Sequence, residues 1–392
     1  MKMANLLFLA FISLFSVYIL AYLVYFIFVA KNLGRDYGVS RDVTYRPNVS
    51  LIICAYNEEK TIASKIKNTL EIEYPRDKLE IIVFDNGSQD GTYDVAKSFA
   101  EEEIKVYKLN GKNKGKSAGL NVAFKYAKGD IVVISDVDCL LKKNVLIESM
   151  PYFADAHVGT VTGSQILLNP NESPSARSEL SLQSYYKFIR KAESIMDSTI
   201  IYNGEFAAFR KNLIRKLDED IAADDTQIAM EVRKAGYRAL FLEEVNFFEY
   251  APSNLRAKWE QKVRRSAAVV QVLIRYKDFM FNRKYGVYGT LIYPWNFFMH
   301  VISPFLFASL LAISFFLLVL DFYSVIKMLI AMMFMVVIMV TIIHAYFEKS
   351  IRGVVDMIFA FVHAQLTLLI GSLSLIRKNP YKWEPVRDTR RY

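Results

Sequence analysis

The chain is poor in the residues that build zinc sites and disulfide frameworks. Its 392 residues include only two cysteines and four histidines. Cys54 and Cys139 do not form a CxxC pair, and the histidines do not cluster by spacing. We therefore expect neither a zinc site nor a disulfide framework, and we assign no histidine a catalytic role. Sequence repeats and low-complexity tracts are also absent.

Charged and apolar residues are both abundant, so they must be separated along the chain. Hydrophobic residues make up 53%, aromatic residues 14% and charged residues 23%, and the mean hydropathy is +0.19. The net charge of +9 suits nucleic acid, anionic lipid headgroups or a phosphorylated substrate. Because membrane-length apolar segments are present, we expect the last two and no nucleic-acid partner. The length leaves room for one full-size domain and several membrane spans.

Residues 6–30 form an uncharged apolar segment that is long enough to cross a bilayer. A cleaved signal peptide would have a shorter apolar region and a small-residue cleavage site. Lys31 and Arg35 follow the segment, as expected for its cytosolic flank. The segment therefore predicts an N-terminal membrane anchor.

Three further apolar blocks lie near residues 287–320, 323–347 and 354–376. The first block contains Pro294 and Pro304 and exceeds the length of one span. We therefore expect it to combine an interfacial or re-entrant piece with a true span.

Two basic segments adjoin these blocks. Residues 276–285 alternate basic with aromatic side chains, which favours a helix in the headgroup region, with an ordinary domain helix as the alternative. The tail, residues 377–392, is strongly basic and favours a cytosolic position. Three full crossings would place that tail outside, so we favour one apolar block being interfacial.

Between the anchor and these blocks, short β-branched runs alternate with polar helical stretches. The runs VSLIIC, LEIIVFD and GDIVVISD begin at residues 49, 79 and 129. This alternation predicts an α/β fold with a parallel sheet covered on both faces, and substrates of such sheets bind beyond the carboxyl ends of the strands. The residues at the three ends are Ala55, Tyr56, Asn57 and Glu58, then Asp85, Asn86, Gly87 and Ser88, and then Asp136, Val137 and Asp138.

Acidic residues are frequent at these strand ends. Asp136 and Asp138 are two positions apart, so both side chains point to the same side if the segment is extended. Carboxylates at the open edge of a sheet can hold a hard divalent cation that bridges two phosphates, although a lone pair also suits a solvated turn. The chain adds Asp85, Asp90, the pair Asp224 and Asp225, and the loop NKGKSAGLN, whose lysines and glycines before a helix suit a phosphate.

Seven motifs occur in a recognisable order between residues 49 and 267. They are ICAYNE, FDNGSQDGT, NKGKSAGLN, SDVD, YNGEFAAFR, ADDTQ and QKVRR. In this order they resemble the membrane-integrated branch of glycosyltransferase family 2, which includes cellulose, chitin and hyaluronan synthases and many lipid-directed transferases. The resemblance implies a GT-A nucleotide-sugar-binding domain with a mixed, mainly parallel sheet, joined to an α-helical transmembrane region.

The resemblance also implies a role for each motif. Asp138 would ligate Mg²⁺ or Mn²⁺, and Asp136 would support both the nucleotide and the metal shell. Asp225 would be the general base, taking the acceptor hydroxyl proton as the oxygen attacks the anomeric carbon with inversion. Donor-binding residues would be Ala55, Tyr56, Asn57, Glu58 and Asp85 at the base and ribose, Lys116 at the phosphate or base, and Asp136, Gln261, Arg264 and Arg265 near the diphosphate.

On the acceptor side, the resemblance implies roles for Asn203, Gly204, Glu205 and Asp224, while a tight turn before a strand is the alternative for the first three. Two positions depart from the family's pattern. Asp224 stands where the family has Glu before the general base. Arg265 stands where the synthases carry the Trp of Gln-x-x-Arg-Trp, which helps to place the terminal sugar of a growing polymer. Its absence favours a single transfer.

We therefore expect a membrane-bound, metal-dependent, inverting glycosyltransferase. Its donor would be a nucleotide-diphosphate sugar, by resemblance a UDP-sugar, and its acceptor a lipid-linked molecule or glycan at the cytosolic face of the cell membrane, in contact with membrane lipids. A processive polysaccharide synthase is the alternative, and a nucleotide-binding transporter or scaffold is a remote one. A nucleotidyltransferase would need a glycine-rich basic loop after the first strand, where ICAYNEEKT is acidic and lacks glycine.

The expected division of the chain follows from these segments. It consists of an N-terminal transmembrane anchor (1–30), a cytosolic GT-A catalytic domain (31–270), interfacial or re-entrant helices (271–300), C-terminal transmembrane helices (301–376) and a basic cytosolic tail (377–392).

Overall fold

The computed structural model describes residues 2–100, 104–109, 115–252, 254–323, 326 and 351–376. Its strands are β1 (Val49–Ala55), β2 (Leu79–Asp85), β3 (Ile104–Lys108), β4 (Ile131–Ser135), β5 (Leu140–Leu141), β6 (Val158–Leu167), β7 (Ala207–Arg210) and β8 (Arg238–Glu249). Its helices are α1 (Lys2–Ala30), α2 (Ile62–Leu70), α3 (Thr92–Lys97), α4 (Lys116–Ala123), α5 (Val145–Ser149), α6 (Pro174–Met196), α7 (Asp224–Lys234), α8 (Leu255–Arg275), α9 (Tyr288–Leu320) and α10 (Ile351–Ile376).

These strands form a mixed, mainly parallel sheet in the order β3-β2-β1-β4-β7-β6-β8-β5. The first four strands of that order are parallel, whereas β7 is antiparallel to both of its neighbours. Buried side chains pack on both faces of the sheet, since successive side chains of a strand point to opposite sides. Leu51 and Val83 pack in one core cluster, and Ile52 and Phe84 pack in another.

The strand register brings the expected site residues to one edge of the sheet. Ala55 lies opposite Asp85 in the β1–β2 pair, and Ile53 lies opposite Ser135 in the β1–β4 pair. The loops that follow these three strands therefore meet at the carboxyl end. β4 ends at Ser135, one residue before the expected end, so Asp136 belongs to the loop.

Helix α6 packs against β8, and α10 packs against both α6 and α8. Helices α6 and α8 each begin at a side-chain cap. The Ser173 side chain accepts the Ala176 N–H at the start of α6, and the Asn254 side chain accepts the Ala257 N–H at the start of α8. Arg177 on α6 lies 3.7 Å from Asp356 on α10. The last apolar helix thus contacts the same helices that border the site described below.

The buried Glu193 of α6 joins this helix to the apolar helices α1 and α9. Its Oε1 accepts hydrogen bonds from the Tyr25 hydroxyl of α1 and from Asn296 Nδ2 of α9, both at 2.7 Å. Its Oε2 accepts from the Thr199 hydroxyl at 2.8 Å. Because a buried carboxylate needs such partners, these bonds fix the positions of α1 and α9 against α6.

Within the described chain, three helices are long and apolar enough to cross a membrane, at 3–30, 288–320 and 355–376. The helix α9 continues through residue 300, where the sequence suggested a division. Two widened π-helical turns, Tyr288–Ile292 and Phe298–Ile302, precede Pro294 and Pro304. They accommodate prolines, which clash with a carbonyl one turn earlier in a regular helix.

The segment 276–285 differs from the expected helix. It contains two 3-10 turns, Lys277–Phe279 and Arg283–Tyr285, and Phe281 between them has a φ of 52°. Tyr276 and Phe279 are buried in a cluster with residues of α8 and α9. Tyr276 and Phe279 thus contribute to a protein core, whereas Phe281 is 70% exposed. The expected block at 323–347, apart from residues 323 and 326, and the tail at 377–392 lie outside the described residues.

Candidate active site

Loops after β1 and β2 interlock at the carboxyl edge of the sheet. Asn57 has a left-handed backbone with a φ of 55°, its N–H donates to Ser88 Oγ at 2.9 Å, and its Oδ1 accepts the Gln89 N–H at 2.9 Å. The buried Asp85 accepts the Ser88 N–H at 3.3 Å through both oxygens. Glu58 is buried and accepts the Thr61 hydroxyl at 2.7 Å, so its carboxylate faces the start of α2.

Lys116 lies at the centre of a cluster of carboxylates. It is the first residue of α4, and its Nζ lies 2.7 Å from Asp136 Oδ1 and 3.0 Å from Asp224 Oδ2. Asp225 follows Asp224 in the first turn of α7 and accepts the Thr226 N–H at 2.7 Å. Residues from the loop after β4, from α4 and from α7 thus meet at one point, although they are far apart in the sequence.

The cluster changes the protonation of its members. Burial lowers the pKa of Lys116, but Asp136 and Asp224 outweigh it and hold that pKa well above its usual range. Burial raises the pKa of Asp136 to about 6, with Asp138 adding to the rise and Lys116 opposing it. Burial, with a further contribution from Asp224, raises the pKa of Asp225 to about 7. Since several carboxylates share one ammonium group, the lysine stays charged while the carboxylates compete for its charge.

Gly204 leaves an open space between these groups. A Cβ atom at this position would lie 3.4 Å from both Asp136 Oδ2 and Asp225 Oδ2, and 3.5 Å from Lys116 Nζ. Next to it, Asn203 accepts a hydrogen bond from Arg190 Nη1 at 2.8 Å. The space therefore has carboxylates on two sides and a cation beside them, and a reacting group can approach all three.

A second charged group lies on the α8 side. Arg265 Nη2 lies 3.0 Å from Glu205 Oε1 and 4.0 Å from Glu249 Oε1, and both carboxylates are buried. Burial and the charge of Glu205 raise the pKa of Glu249 well above its usual range. The Arg265 guanidinium therefore pairs most closely with the buried Glu205.

A cavity of about 1310 Å³ connects the two charged groups. Most small-molecule sites have roughly 300–1,000 Å³, so this cavity has room for two substrates. One end contains the Lys116 cluster, and the other extends between α6, α8 and α10. The second end is lined by Glu179 and Lys262, 2.7 Å apart, and by His363, Thr367 and Leu368 of α10.

The structure separates the expected site residues into two sets. The set that lines the cavity consists of Tyr56, Lys116, Asp136, Asn203, Gly204, Glu205, Asp224, Asp225, Arg264 and Arg265. Ala55, Asn57, Glu58, Asp85, Asp138 and Gln261 do not line it. The charge of Asp138 nevertheless acts on both Asp136 and Arg265.

Several site residues escaped the sequence reasoning. Glu179, Arg190 and Lys262 line the cavity from α6 and α8. Burial raises the pKa of Glu179, but Lys262 and Lys258 outweigh it and lower that pKa to about 2. Lys258 and Lys262 are four residues apart and so share one face of a helix, which was the available signal.

The carboxylates fit a divalent metal that is shared with a substrate. Among the described residues, no three His, Cys, Asp or Glu side chains form a group that could hold a metal alone. Mg²⁺ and related ions in phosphate sites usually take one or two carboxylates together with phosphates and water. Asp136 faces the cavity and can supply one such carboxylate, and the charge of Asp138 acts on the same group.

Residues 50–218 match the family described as Glycosyl transferase family 2. The chain carries a glycosyltransferase family 2 domain. This glycosyltransferase is 25% identical to the Probable glycosyltransferase YdaM of Bacillus subtilis (strain 168), over 97% of both chains. It is 24% identical to the poly-beta-1,6-N-acetyl-D-glucosamine synthase of Staphylococcus aureus (strain COL), over 69% of this chain and 66% of that synthase.

A solved structure also resembles the glycosyltransferase over nearly its whole length. It is the mannosyltransferase PcManGT from Pyrobaculum calidifontis in complex with GDP-Man and Mn²⁺. The TM-score is 0.78 at 25% identity, and the match covers 95% of this chain and 99% of the mannosyltransferase. The expected glycosyltransferase family 2 domain, the GT-A fold with its mixed sheet, the helices apolar enough to span a membrane and the glycosyltransferase activity are thereby confirmed.

Proposed function

We propose that this glycosyltransferase moves a sugar, with inversion, from a nucleotide-diphosphate sugar to an acceptor that reaches the cavity beside α10. The observation that carries the proposal is the cavity itself. It joins the Lys116 cluster, which suits a sugar diphosphate, to a second end bordered by an apolar helix. Such an arrangement suits two substrates that approach from opposite sides.

The donor lies at the carboxyl edge of β1, β2 and β4 in this proposal. Tyr56 lines the cavity and contacts the base and ribose, while Asn57 and Asp85 hold the loops beside it in place. The charged Lys116 contacts the phosphates. Asp138 and Asp136 hold Mg²⁺ or Mn²⁺, which when bound would neutralise charge on the leaving diphosphate. Sequence resemblance favours a UDP-sugar, whereas the mannosyltransferase relative binds GDP-Man. Both donor classes therefore belong in the test.

Asp225 acts as the general base in this proposal. Its carboxylate faces the space beside Gly204, and its pKa of about 7 suits a group that must accept a proton near neutral pH. Asp224 stays bound to Lys116, and its negative charge contributes to the raised pKa of Asp225. Attack by the activated acceptor oxygen from the side opposite the diphosphate inverts the anomeric centre.

The acceptor is lipid-linked in this proposal, or a glycan held near a membrane. The helices α1, α9 and α10 cross the cell membrane, and the α/β domain lies on the cytosolic side. Leu368 and Leu375 of α10 line the cavity, so an apolar chain can pass beside them towards Asp225. Arg264 and Lys262 line the same end and suit an anionic headgroup.

A processive polysaccharide synthase is the second candidate, because the relative from Staphylococcus aureus is named as a synthase of a polymer. Arg265 argues against it, since its guanidinium is held by Glu205 and offers no aromatic ring for stacking a sugar. The two candidates differ in product length, which chromatography of labelled products measures. A ladder of products from one acceptor would favour the synthase.

Nucleotide release by the purified full chain tests the proposal. The donors are GDP-mannose, UDP-glucose and UDP-N-acetylglucosamine, each with Mn²⁺ or with EDTA. We expect release from one donor class with Mn²⁺ only, and its loss in Asp138→Ala. The matched control is Asp77→Asn, an exposed carboxylate outside the cavity, which should behave like the wild type. Release that is independent of Mn²⁺ and of Asp138 would contradict the proposed site.

A further inference from the structure

A fully buried lysine lies beneath the loop that carries Asp136 and Asp138. Lys65 on α2 has 0% of its surface exposed, although lysine is almost never fully buried unless it is paired. Among the described residues its Nζ contacts no carboxylate. It donates instead to Ser135 Oγ at 2.7 Å, to the Cys139 carbonyl at 2.9 Å and to Cys139 Sγ at 3.4 Å.

The partners of this ammonium group bracket the loop. Ser135 immediately precedes Asp136, and Cys139 immediately follows Asp138. A single Nζ atom thus holds both ends of the three-residue loop. Cys139 Sγ also lies 3.3 Å from the Asp136 carbonyl oxygen, so the loop is closed on itself by the same group of atoms.

The same network reaches the opposite wall of the cavity. Ser135 Oγ donates to the Glu205 carbonyl at 2.8 Å, and Cys139 Sγ lies 3.3 Å from that carbonyl oxygen. Glu205 follows Gly204, beside which Asp136 and Asp225 meet. The position of the carboxylates at residues 136 and 138 is therefore tied, through Lys65, to the position of the 203–205 loop.

Packing alone does not account for this lysine. Its neighbours Ile62 and Ile66 bury their side chains, and a methionine of similar length would fill the same space without a charge to desolvate. What methionine cannot do is donate hydrogen bonds to three acceptors. Buried polar groups must be hydrogen-bonded, and these three acceptors belong to the site loop.

We propose that Lys65 is a positioning residue, which presets the 136–138 loop and the 203–205 loop in the arrangement that binds the metal and the donor diphosphate. The inference rests on the proposed function, because it concerns the same carboxylates. Groups that orient metal ligands typically change metal affinity by about 10–100-fold when they are removed. Lys65 acts without touching the metal or the substrate.

Mn²⁺ affinity tests this role independently of turnover. Free Mn²⁺ is measured by electron paramagnetic resonance while it is titrated into the full chain with saturating UDP or GDP, whichever the wild type binds. We expect the Kd for Mn²⁺ to rise about tenfold or more in Lys65→Met. We also expect the KM for Mn²⁺ to rise with it, while kcat at saturating Mn²⁺ stays near the wild-type value.

Two further variants keep the test decisive if Lys65→Met does not fold. Ser135→Ala retains the lysine and its bond to the Cys139 carbonyl but removes the Ser135 hydroxyl that accepts from Lys65 and donates to the Glu205 carbonyl, so it should shift the Kd in the same direction by less. Thr69→Val is the matched control, since Thr69 is equally buried on α2 and, among the described residues, its hydroxyl bonds only to the Lys65 backbone carbonyl. It should leave the Kd unchanged.

Each result separates the alternatives. Unchanged or tighter Mn²⁺ binding in folded Lys65→Met, or in Ser135→Ala when Lys65→Met does not fold, would overturn the positioning role. A wild-type chain that binds Mn²⁺ with neither nucleotide would instead overturn the proposed function, and the inference that rests on it would fall with it.

Discussion

Replacement of Lys116 with methionine removes the ammonium group that neutralises the carboxylate cluster. Its Nζ lies 2.7 Å from Asp136 and 3.0 Å from Asp224, and all three side chains are at most 26% exposed. Removing one partner of a buried ion pair costs about 3–5 kcal/mol, because the remaining charge stays desolvated. For a domain of this size, that loss corresponds to a fall in Tm of about 10 °C.

The destabilisation should depend on pH, and the sign follows from the carboxylates. Without Lys116, the folded-state pKa values of Asp136 and Asp225 rise further above those of the unfolded chain. Carboxylates with raised pKa values bind protons more tightly in the folded state, so they destabilise the fold as pH rises through those values. Each unit by which the loss of Lys116 raises either pKa adds up to about 1.4 kcal/mol to the loss of stability at pH 8, and this part disappears at pH 5.

Thermal unfolding in detergent at pH 8 and pH 5, at one scan rate, measures the effect. We expect the Tm difference between wild type and Lys116→Met to be at least twice as large at pH 8 as at pH 5. Lys67→Met, at an exposed position on α2, is the control and should change neither value. An equal loss at both pH values would refute the argument, since it would indicate lost packing and no uncompensated charge.

Three further outcomes follow from the site. Asp224→Asn removes a charge that raises the pKa of Asp225, so the acid limb of the pH profile of kcat/KM should move down by about one pH unit; an unmoved limb would exclude Asp225 as the titrating base. Gly204→Ala should keep the Tm and reduce transfer about tenfold or more, because the added methyl group fills the space between two carboxylates, and unchanged transfer would contradict this. Glu179→Gln should lower the free energy of unfolding by about 3 kcal/mol at pH 7, because it removes a carboxylate whose folded-state pKa is about 2. This difference should disappear as pH falls from about 4.5 to about 2, and a pH-independent Tm difference would disprove it.

The sheet and its site edge were predictable because apolar periodicity and parallel topology suffice to locate them. The runs that end at Ala55, Asp85 and Ser135 are continuous and β-branched, and parallel neighbours bring their ends to one edge. The order of the motifs, by its resemblance to a known family, predicted that Lys116 and Asp225 also lie at this edge. Spacing alone does not bring α4 and α7 together.

Other parts depended on tertiary contacts that no local pattern reveals. Glu179 and Lys262 are 83 positions apart, and their side chains meet because α6 and α8 both pack against α10. The burial of Lys65 was indicated by its position, since it lies three residues after Ile62 and four before Thr69, on the buried face of a helix. A lysine on such a face is easily assigned to the surface, because its long side chain usually extends to solvent.

The segment near residue 280 illustrates a third limit. Alternating basic and aromatic residues suit a membrane surface, but Tyr276 and Phe279 pack with Tyr288 and Tyr293 in a protein cluster. Composition is the same in either setting. Only the direction in which the chain turns after α8 decides whether aromatic rings meet lipid or protein.

Transfer of a labelled sugar to an organic-extractable acceptor tests the central claim most directly. The full chain in native membranes receives the donor that supports nucleotide release, and wild type is compared with Asp225→Asn. We predict labelled lipid-soluble product from the wild type, and a loss of about 10²–10⁴-fold in the variant, with nucleotide affinity within threefold of wild type. Transfer that survives in Asp225→Asn to within tenfold, in a variant that still binds nucleotide, would contradict the account.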